Sequence, residues 1–307
     1  MNFFSAKDLK SCGGMSQTTP TVSVLVTVYN REAYLAACLD SILASTWQDF
    51  EVVVVDDGST DGSVSVAENY AVRDPRIRFF RNEKNLGDYP NRMRAAELAR
   101  GEYLKYVDAD DLIYPHSLEI MVEAMKRYPL AAFALSLNQI DPLLPYPFVS
   151  SPAVVMTRHF IEKSLFGCGP TGAIIRRDAF ETVGGFSGRQ FVGDSELWLK
   201  LGEHWPLVSL PPALVWLRQH EGQQTHLEES NPEVFNLRLK LEEEALSSTR
   251  HLTTKEKRTA LGRLRQHHAR RLWSRAICRR SPRIAWRLFR ASGLGLGECL
   301  GGLMKYR

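Results

Sequence analysis

Carboxylates close two apolar runs of this 307-residue chain: Asp56 and Asp57 in VVVVDDGSTD (52–61), and Asp108, Asp110 and Asp111 in YLKYVDADD (103–111). A buried parallel strand reads as a continuous apolar stretch, and ligands of open α/β sheets bind just beyond the ends of such strands. Acids placed there do little for packing. They can ligate a metal-bound diphosphate or accept hydrogen bonds from a nucleoside. In an extended strand end, residues i and i+2 face the same way, so Asp108 and Asp110 can address one ligand. Mg²⁺ or Mn²⁺ takes hard oxygen donors, usually one or two carboxylates plus substrate phosphates, which makes Asp110 the candidate metal ligand. Asp111 can cap the helix that follows. In the other cluster Gly58 permits a sharp turn and Ser59 or Thr60 can satisfy helix amides, leaving one carboxylate free for a base N–H or a ribose hydroxyl.

The elements that must position these groups are legible in the pattern. TVSVLVTVY (21–29), FEVVVV (50–55), IRFF (77–80) and YLKYV (103–107) read as strands. Between them, Leu35, Leu39, Ile42 and Leu43 recur at helical spacing behind Asn30, a candidate cap, and Asp61 or Ser63 opens a helix to about Val72. NEKNLGDYP (82–90) reads as a loop, 91–100 as a helix ending at Gly101, 115–127 as a helix and 131–137 as a strand. Alternating strands and helices predict a doubly wound, mostly parallel sheet flanked by helices. Residues 138–156 are proline-rich and too irregular for a central element; a helix from Ser195 to about His204 and strands at VSL and ALVWLRQH (213–220) close the domain. From Pro232 the pattern is helical, interrupted at Pro282. This divides the chain into a lead (1–20), a sheet domain (21–228) and a basic helical extension (229–307).

The net charge of +4 conceals that division: residues 250–307 hold 16 Lys+Arg against only Glu256 and Glu298, so residues 1–249 hold 23 basic and 33 acidic residues. Five widely spaced cysteines without a CxxC pair argue for a reduced compartment and against a zinc site or a disulfide framework. No apolar run approaches the roughly 20 residues that span a bilayer, and the first 20 residues lack the apolar core of a signal peptide. The expected location is cytoplasmic, with a peripheral position at the inner face of the plasma membrane open to it.

Together VSVLVTVYNREAYLAACLDSIL (22–43), VVVVDDGSTDGS (52–63), NLG (85–87), ARGEYLKYVDADD (99–111), VGGF (183–186), GDSELWLKL (193–201) and RQH (218–220) resemble family 2 glycosyltransferases of the GT-A fold, in order and spacing, over roughly 21–228. The resemblance implies transfer of a sugar from a nucleotide-diphosphate donor, of UDP type, to an acceptor hydroxyl with inversion at the anomeric carbon. It implies that Tyr29 stacks on the base, with Thr27 beside it, that Asp57 binds the base edge, and that Arg92 contacts the nucleotide. Asp108 would face the ribose or metal, Asp110 would bind the metal, His220 would reach the metal or diphosphate, and Asp194 would be the general base. Gly193 stands where the family usually has Glu, Thr27 where it has Pro, and Met93 where it has Asn. Glu196 could replace the missing acid or begin a solvated helix face.

The implied acceptor is a saccharide or a lipid-linked glycan of bacterial surface polysaccharide or glycolipid assembly. An alternative reading, a catalytically silent scaffold that binds nucleotide sugar or a partner enzyme, has Gly193 as its only support. A nucleotidyltransferase would want a Gly-rich phosphate loop after the first strand, and TVYNREAYL has none. GLGLGE (293–298) lacks both the strand and the spacing of a dinucleotide fingerprint. His267 and His268 read as a solvated face, Trp198 and Trp216 as core. In 250–290 an apolar stripe among arginines either packs on the protein or meets an anionic membrane surface; no nucleic-acid module accompanies the charge.

Overall fold

The structure is a computed structural model that describes residues 19–136, 141, 143–220, 232–277 and 281–299. Its first half alternates strand and helix: β1 (Val22–Val28), α1 (Glu32–Leu43), β2 (Phe50–Asp56), α2 (Ser63–Arg73), β3 (Ile77–Arg81), α3 (Asp88–Leu98) and β4 (Tyr103–Asp108). There follow β5 (Leu112–Ile113), α4 (Ser117–Arg127), β6 (Phe133–Ser136), β7 (Phe148–Ser150), α5 (Pro152–Ile161), β8 (Ala173–Arg176), α6 (Arg177–Thr182), α7 (Gly193–His204), β9 (Leu207–Leu210) and β10 (Val215–Trp216). The main sheet has the order β3-β2-β1-β4-β8-β6-β9-β7. Pairing is parallel across β3-β2-β1-β4 and β6-β9, and antiparallel at β8 and β7. The mostly parallel, doubly wound architecture expected from the sequence is present.

Strand alternation builds two cores. Val22, Val24, Val26 and Val28 join Val52 and Val54 against Leu35, Leu39 and Ile42 of α1 and Leu118 and Met121 of α4. Leu25, Val53, Val55, Leu104 and Tyr106 face the other way, against α3, α6 and α7. With both faces covered, the strands must be apolar throughout. The parallel register sets Val28 beside Asp56 and Thr27 beside Asp108, so three strand ends carry their polar residues to one edge.

Several local expectations are corrected. Asn30 does not cap α1: it sits at φ 52° and its Oδ1 accepts from Thr60 N at 2.8 Å. The amides at the start of α1 are held instead by the DGSTDGS segment, Arg31 N by Ser63 Oγ and Glu32 N by Asp61 Oδ2. Helix α3 begins at Asp88, inside the expected loop, because Pro90 lies in its first turn, where a missing N–H costs nothing. Ser151 caps α5 within the stretch read as irregular; residues 137–140 and 142 of that stretch lie outside the described residues. Of 213–220 only Val215 and Trp216 form a strand, paired with β5 in a small second sheet.

Beyond residue 231 run α8 (Pro232–Ser248), α9 (Thr254–Ile277) and α10 (Pro282–Ser292). Thr253 and Glu256 cap α9 reciprocally, and Pro282 opens α10, where proline is tolerated best. Leu241, Leu246, Leu252 and Ala260 pack on Met156 and Phe160 of α5, on Val192 just before α7 and on Leu199 of α7. Each large apolar side chain so buried contributes roughly 1.5–3 kcal/mol before chain entropy is counted. His268 is not solvated but buried, its Nε2 2.9 Å from Asn236 Oδ1.

Candidate active site

A cleft of about 520 Å³ opens where β1, β2 and β4 end, and Thr27, Tyr29, Asp57, Arg92, Asp108, Asp110 and Asp194 all line it. His220 reaches the same place from the segment after β10, with Nε2 3.0 Å from Asp110 Oδ2. The eight positions singled out in the sequence are therefore brought together.

Tyr29 lies at the rim, 46% exposed, with its ring available for stacking. Behind it the acidic pair of β2 divides two structural tasks. Asp56 Oδ2 accepts from Gly58 N and Ser59 N and forms the turn. Asp57 accepts from Asn82 Nδ2 at 2.7 Å, Leu86 N at 2.8 Å and Gly87 N at 2.9 Å, and so pins the 82–87 loop against the cleft. Neither carboxylate is left free as the sequence suggested. A carboxylate offers about four lone-pair positions, so Asp57 retains room for one further donor.

Asp108 and Asp110 share the cleft but hold different partners, and the strand gives way to a turn at Ala109 and Asp110. Asp108 Oδ1 lies 2.7 Å from Arg92 Nη2, and Arg92 Nε reaches Asp88 Oδ1 at 2.8 Å. Burial opposes the Arg92 charge, but Asp108 and Asp88 outweigh it and raise the guanidinium well above its ordinary pKa. Arg92 Nη1 is buried without a hydrogen-bond partner among the described residues. A buried unsatisfied donor costs about 1–3 kcal/mol, a cost an incoming anionic ligand would remove.

Asp110 Oδ2 is shared between His220 Nε2 and Arg31 Nε, the latter at 2.9 Å. Arg31 Nη1 also donates to the carbonyls of Tyr29 and Asn30, tying the stacking residue to the acidic turn. Asp111 does not cap α4, whose N-cap is His116. It is buried, accepts from Thr171 Oγ1 and Arg218 N, and is raised to about 7 by burial and then by Asp108 and Asp110. Thr171 also accepts from Asp108 N, so one threonine after α5 fixes the acidic turn from the far side.

The donor chemistry of Asp108, Asp110 and His220 fits a divalent cation, and Arg31 already supplies a positive charge at Asp110. Among the described residues no three such side chains are grouped as they stand to hold an ion. Arg31 and a cation would compete for Asp110 Oδ2.

Asp194 stands on the opposite wall, in the first turn of α7. Its Oδ1 accepts from Ser195 N, its own N–H donates to Tyr89 Oη at 3.3 Å, and burial raises its pKa against the lowering influence of Ser195 N, Arg238 and Arg92. Gly193 has a local cause: a Cβ there would stand 2.6 Å from the Tyr89 ring. Glu196 is not on a solvated face; it is buried and accepts from Ser187 Oγ, holding the 187–189 loop to α7. Trp198 is core, stacked on Phe133, whereas Trp216 is 42% exposed and carries the Arg218 guanidinium on its ring.

Residues 23–184 match the family described as glycosyl transferase family 2. The chain belongs to that family. A putative glycosyltransferase, EpsH, of Bacillus subtilis (strain 168) is 42% identical over 104 residues, 34% of this chain and 30% of the relative. Chondroitin synthase of Escherichia coli is 31% identical over 125 residues, 41% of this chain and 18% of that protein. The matched stretch thus spans about a third or less of these relatives' length. Among solved structures, S. aureus TarS 1–349 in complex with UDP-GlcNAc superposes with a TM-score of 0.64 at 21% identity, covering 81% of this chain and 72% of that one. The mannosyltransferase PcManGT from Pyrobaculum calidifontis, in complex with GDP-Man and Mn²⁺, gives 0.58 at 18% identity, covering 92% and 79%. At these identities the structural likeness establishes the fold.

Sequence reasoning missed Arg31, Asp88, Tyr89, Thr171 and Arg238. Only one of these gave a signal: Asp88 and Arg92 lie four apart, the spacing of an ion pair on a helix face, obscured by reading 82–90 as loop.

Proposed function

We propose that this chain is an inverting, metal-dependent glycosyltransferase that moves a sugar from a nucleotide-diphosphate donor, of UDP type, to an acceptor hydroxyl. The observation that carries the reading is the single cleft lined by Tyr29, Asp57, Arg92, Asp108, Asp110 and Asp194. In this reading 21–228 form the transfer domain and 229–307 its extension. Tyr29 stacks on the base, Thr27 lies beside it, Asp57 takes the base edge with its remaining lone pair, and Arg92 meets the anionic part of the nucleotide. Asp108 faces the ribose or metal, and Asp110 and His220 hold Mg²⁺ or Mn²⁺. A divalent cation there would offset charge on the departing diphosphate, a Lewis-acid role. Asp194 takes the proton of the acceptor hydroxyl as its oxygen attacks the anomeric carbon from the face opposite the leaving diphosphate; the raised pKa makes it a stronger base than an ordinary carboxylate.

The acceptor in this reading is a saccharide or a lipid-linked glycan of surface-polysaccharide or glycolipid assembly, used at the cytoplasmic face of a membrane. Among the described residues no helix is long and apolar enough to cross one. Calorimetric titration with UDP, GDP and dTDP, with and without Mn²⁺, tests the site. Metal-dependent binding of UDP alone is expected. A folded protein that binds none of the three would instead support the silent-scaffold reading.

A further inference from the structure

Helix α10 turns an unusual face to solvent. At 100° per residue, Arg283, Arg287 and Arg290 fall on one line of the helix, and all three are exposed. Ile284 and Trp286 flank that line on either side, 40% and 58% exposed. The opposite line, Ala285 and Leu288, is buried against α8 and α9, and Asn236 Nδ2 of α8 donates to Leu288 O at 3.1 Å. Ile277 and Leu296, which bracket α10 in the chain, are exposed as well, 54% and 69%. A helix with its packing satisfied on one side has no folding reason to carry a tryptophan, an isoleucine and three arginines outward.

Among the described residues no acid pairs with Arg283, Arg287 or Arg290. Residues 257–307 contain one acid, Glu298. That acid is taken by Arg265 Nη1 at 3.2 Å and by Gly295 N. Glu256, the other acid of the tail, is used in the cap of α9. A cationic line with aromatic and aliphatic flanks matches the boundary of an anionic bilayer: guanidinium groups meet headgroup phosphates while their stems, with Trp and Ile, enter the upper acyl region. A free polyanion would match the charge but leave Ile284 and Trp286 without purpose. The position also suits a lipid-borne acceptor. Asn236 touches α10, and Arg238, two residues on in α8, reaches Ser195 beside Asp194. One helix thus separates the exposed face from the candidate base.

We infer that α10 is a docking surface for an anionic lipid bilayer, seated through Arg283, Arg287 and Arg290 and through insertion of Ile284 and Trp286. Its purpose, not its evidence, rests on the lipid-linked branch of the proposed function. The test is co-sedimentation of the full chain with phosphatidylcholine vesicles, with and without phosphatidylglycerol, at low and high salt. Binding to the anionic vesicles alone is expected, weakening with salt. The R283Q/R287Q/R290Q variant should lose on the order of 100-fold in vesicle affinity, taking about 1 kcal/mol per basic residue. W286A should weaken binding at high salt, where the apolar contribution dominates. UDP affinity should be unchanged in both variants, since neither site lines the cleft, and thermal melting should be unchanged in the triple variant; W286A loses a ring contact with Phe289, so W286F is its control for packing. Equal binding to neutral vesicles, an unaffected triple variant, or preference for a duplex oligonucleotide over anionic vesicles would each overturn the inference. Loss of UDP binding with vesicle binding intact would overturn the transfer reading and leave this one standing.

Discussion

The two walls of the cleft handle their carboxylates in opposite ways. On the sheet side, Asp56, Asp57, Asp108, Asp110 and Asp111 are each engaged by protein donors or cations before any ligand arrives. On the α7 side, Asp194 has the adjacent Ser195 amide as its close partner and is shifted upward by burial. The difference teaches that the sheet side ties its acids to distant protein partners, buried Asp111 among them at a pKa of about 7, whereas the α7 side presents to the cleft one carboxylate held by an adjacent amide. A site that binds a diphosphate and deprotonates an alcohol needs both.

The largest expected effect sharpens this contrast. Asp194→Asn should lower kcat by roughly 10²–10⁴, the usual worth of a general base, while nucleotide affinity stays within about twofold. A fully active D194N enzyme would sink the base assignment. In the wild type, kcat should fall as pH drops, because protonation removes the base. The midpoint should lie above the ordinary carboxylate value of 3.8, since burial raises Asp194. D194N should lack that limb.

Next in size, Tyr29→Ala should weaken UDP binding by about 5- to 150-fold, the range of base–aromatic stacking, with the metal dependence retained. An unaltered Kd by calorimetry would remove Tyr29 from the donor side. Arg31→Gln breaks the comparison from the other direction. If Arg31 is the cation Asp110 must release, Mn²⁺ affinity of the nucleotide-free protein, read by electron paramagnetic resonance, should rise about fivefold, corresponding to an ion pair worth about 1 kcal/mol. A decrease would make Arg31 a supporter of the metal site.

The smallest effect concerns the foundation of the acidic turn. Lys105 is fully buried under it, its Nζ donating to the Tyr106 and Thr171 carbonyls, and burial lowers it to about 8. Between about 8 and the unfolded value near 10.4, Lys105 binds more protons in the unfolded chain, so its contribution to stability rises with pH across that window, against the opposite contribution of the buried, raised Cys38 and Cys168 thiols. Below about 8 both states are protonated and the slope vanishes. Chemical denaturation at stepped pH should show it as a difference: across that window the stability of wild type relative to Lys105→Met should rise with pH.

Most of the first half was legible because a parallel sheet covered on both faces writes itself as apolar runs ending in polar residues: VVVVDD and YLKYVDADD locate two strand ends without further help. The errors fell where a distant segment supplied what a local rule assigned to a neighbour. Asn30 has the right type and place for a cap, yet Ser63 and Asp61 cap α1 from the turn between β2 and α2. Asp111 likewise precedes a helix but is claimed by Thr171 and Arg218. Gly193 looked like a lost acid and proved to be space for the Tyr89 ring.

The sequence by itself determined the strand–helix alternation, the acidic groups at the strand ends and the basic character of the tail, since all three follow from local pattern and composition. Only the tertiary structure decided which of those acids are tethered and which can titrate, that Arg31 enters the cleft, and which face of α10 looks outward. Those outcomes depend on burial and on partners tens of residues away, and neither is encoded in the spacing of neighbours along the chain.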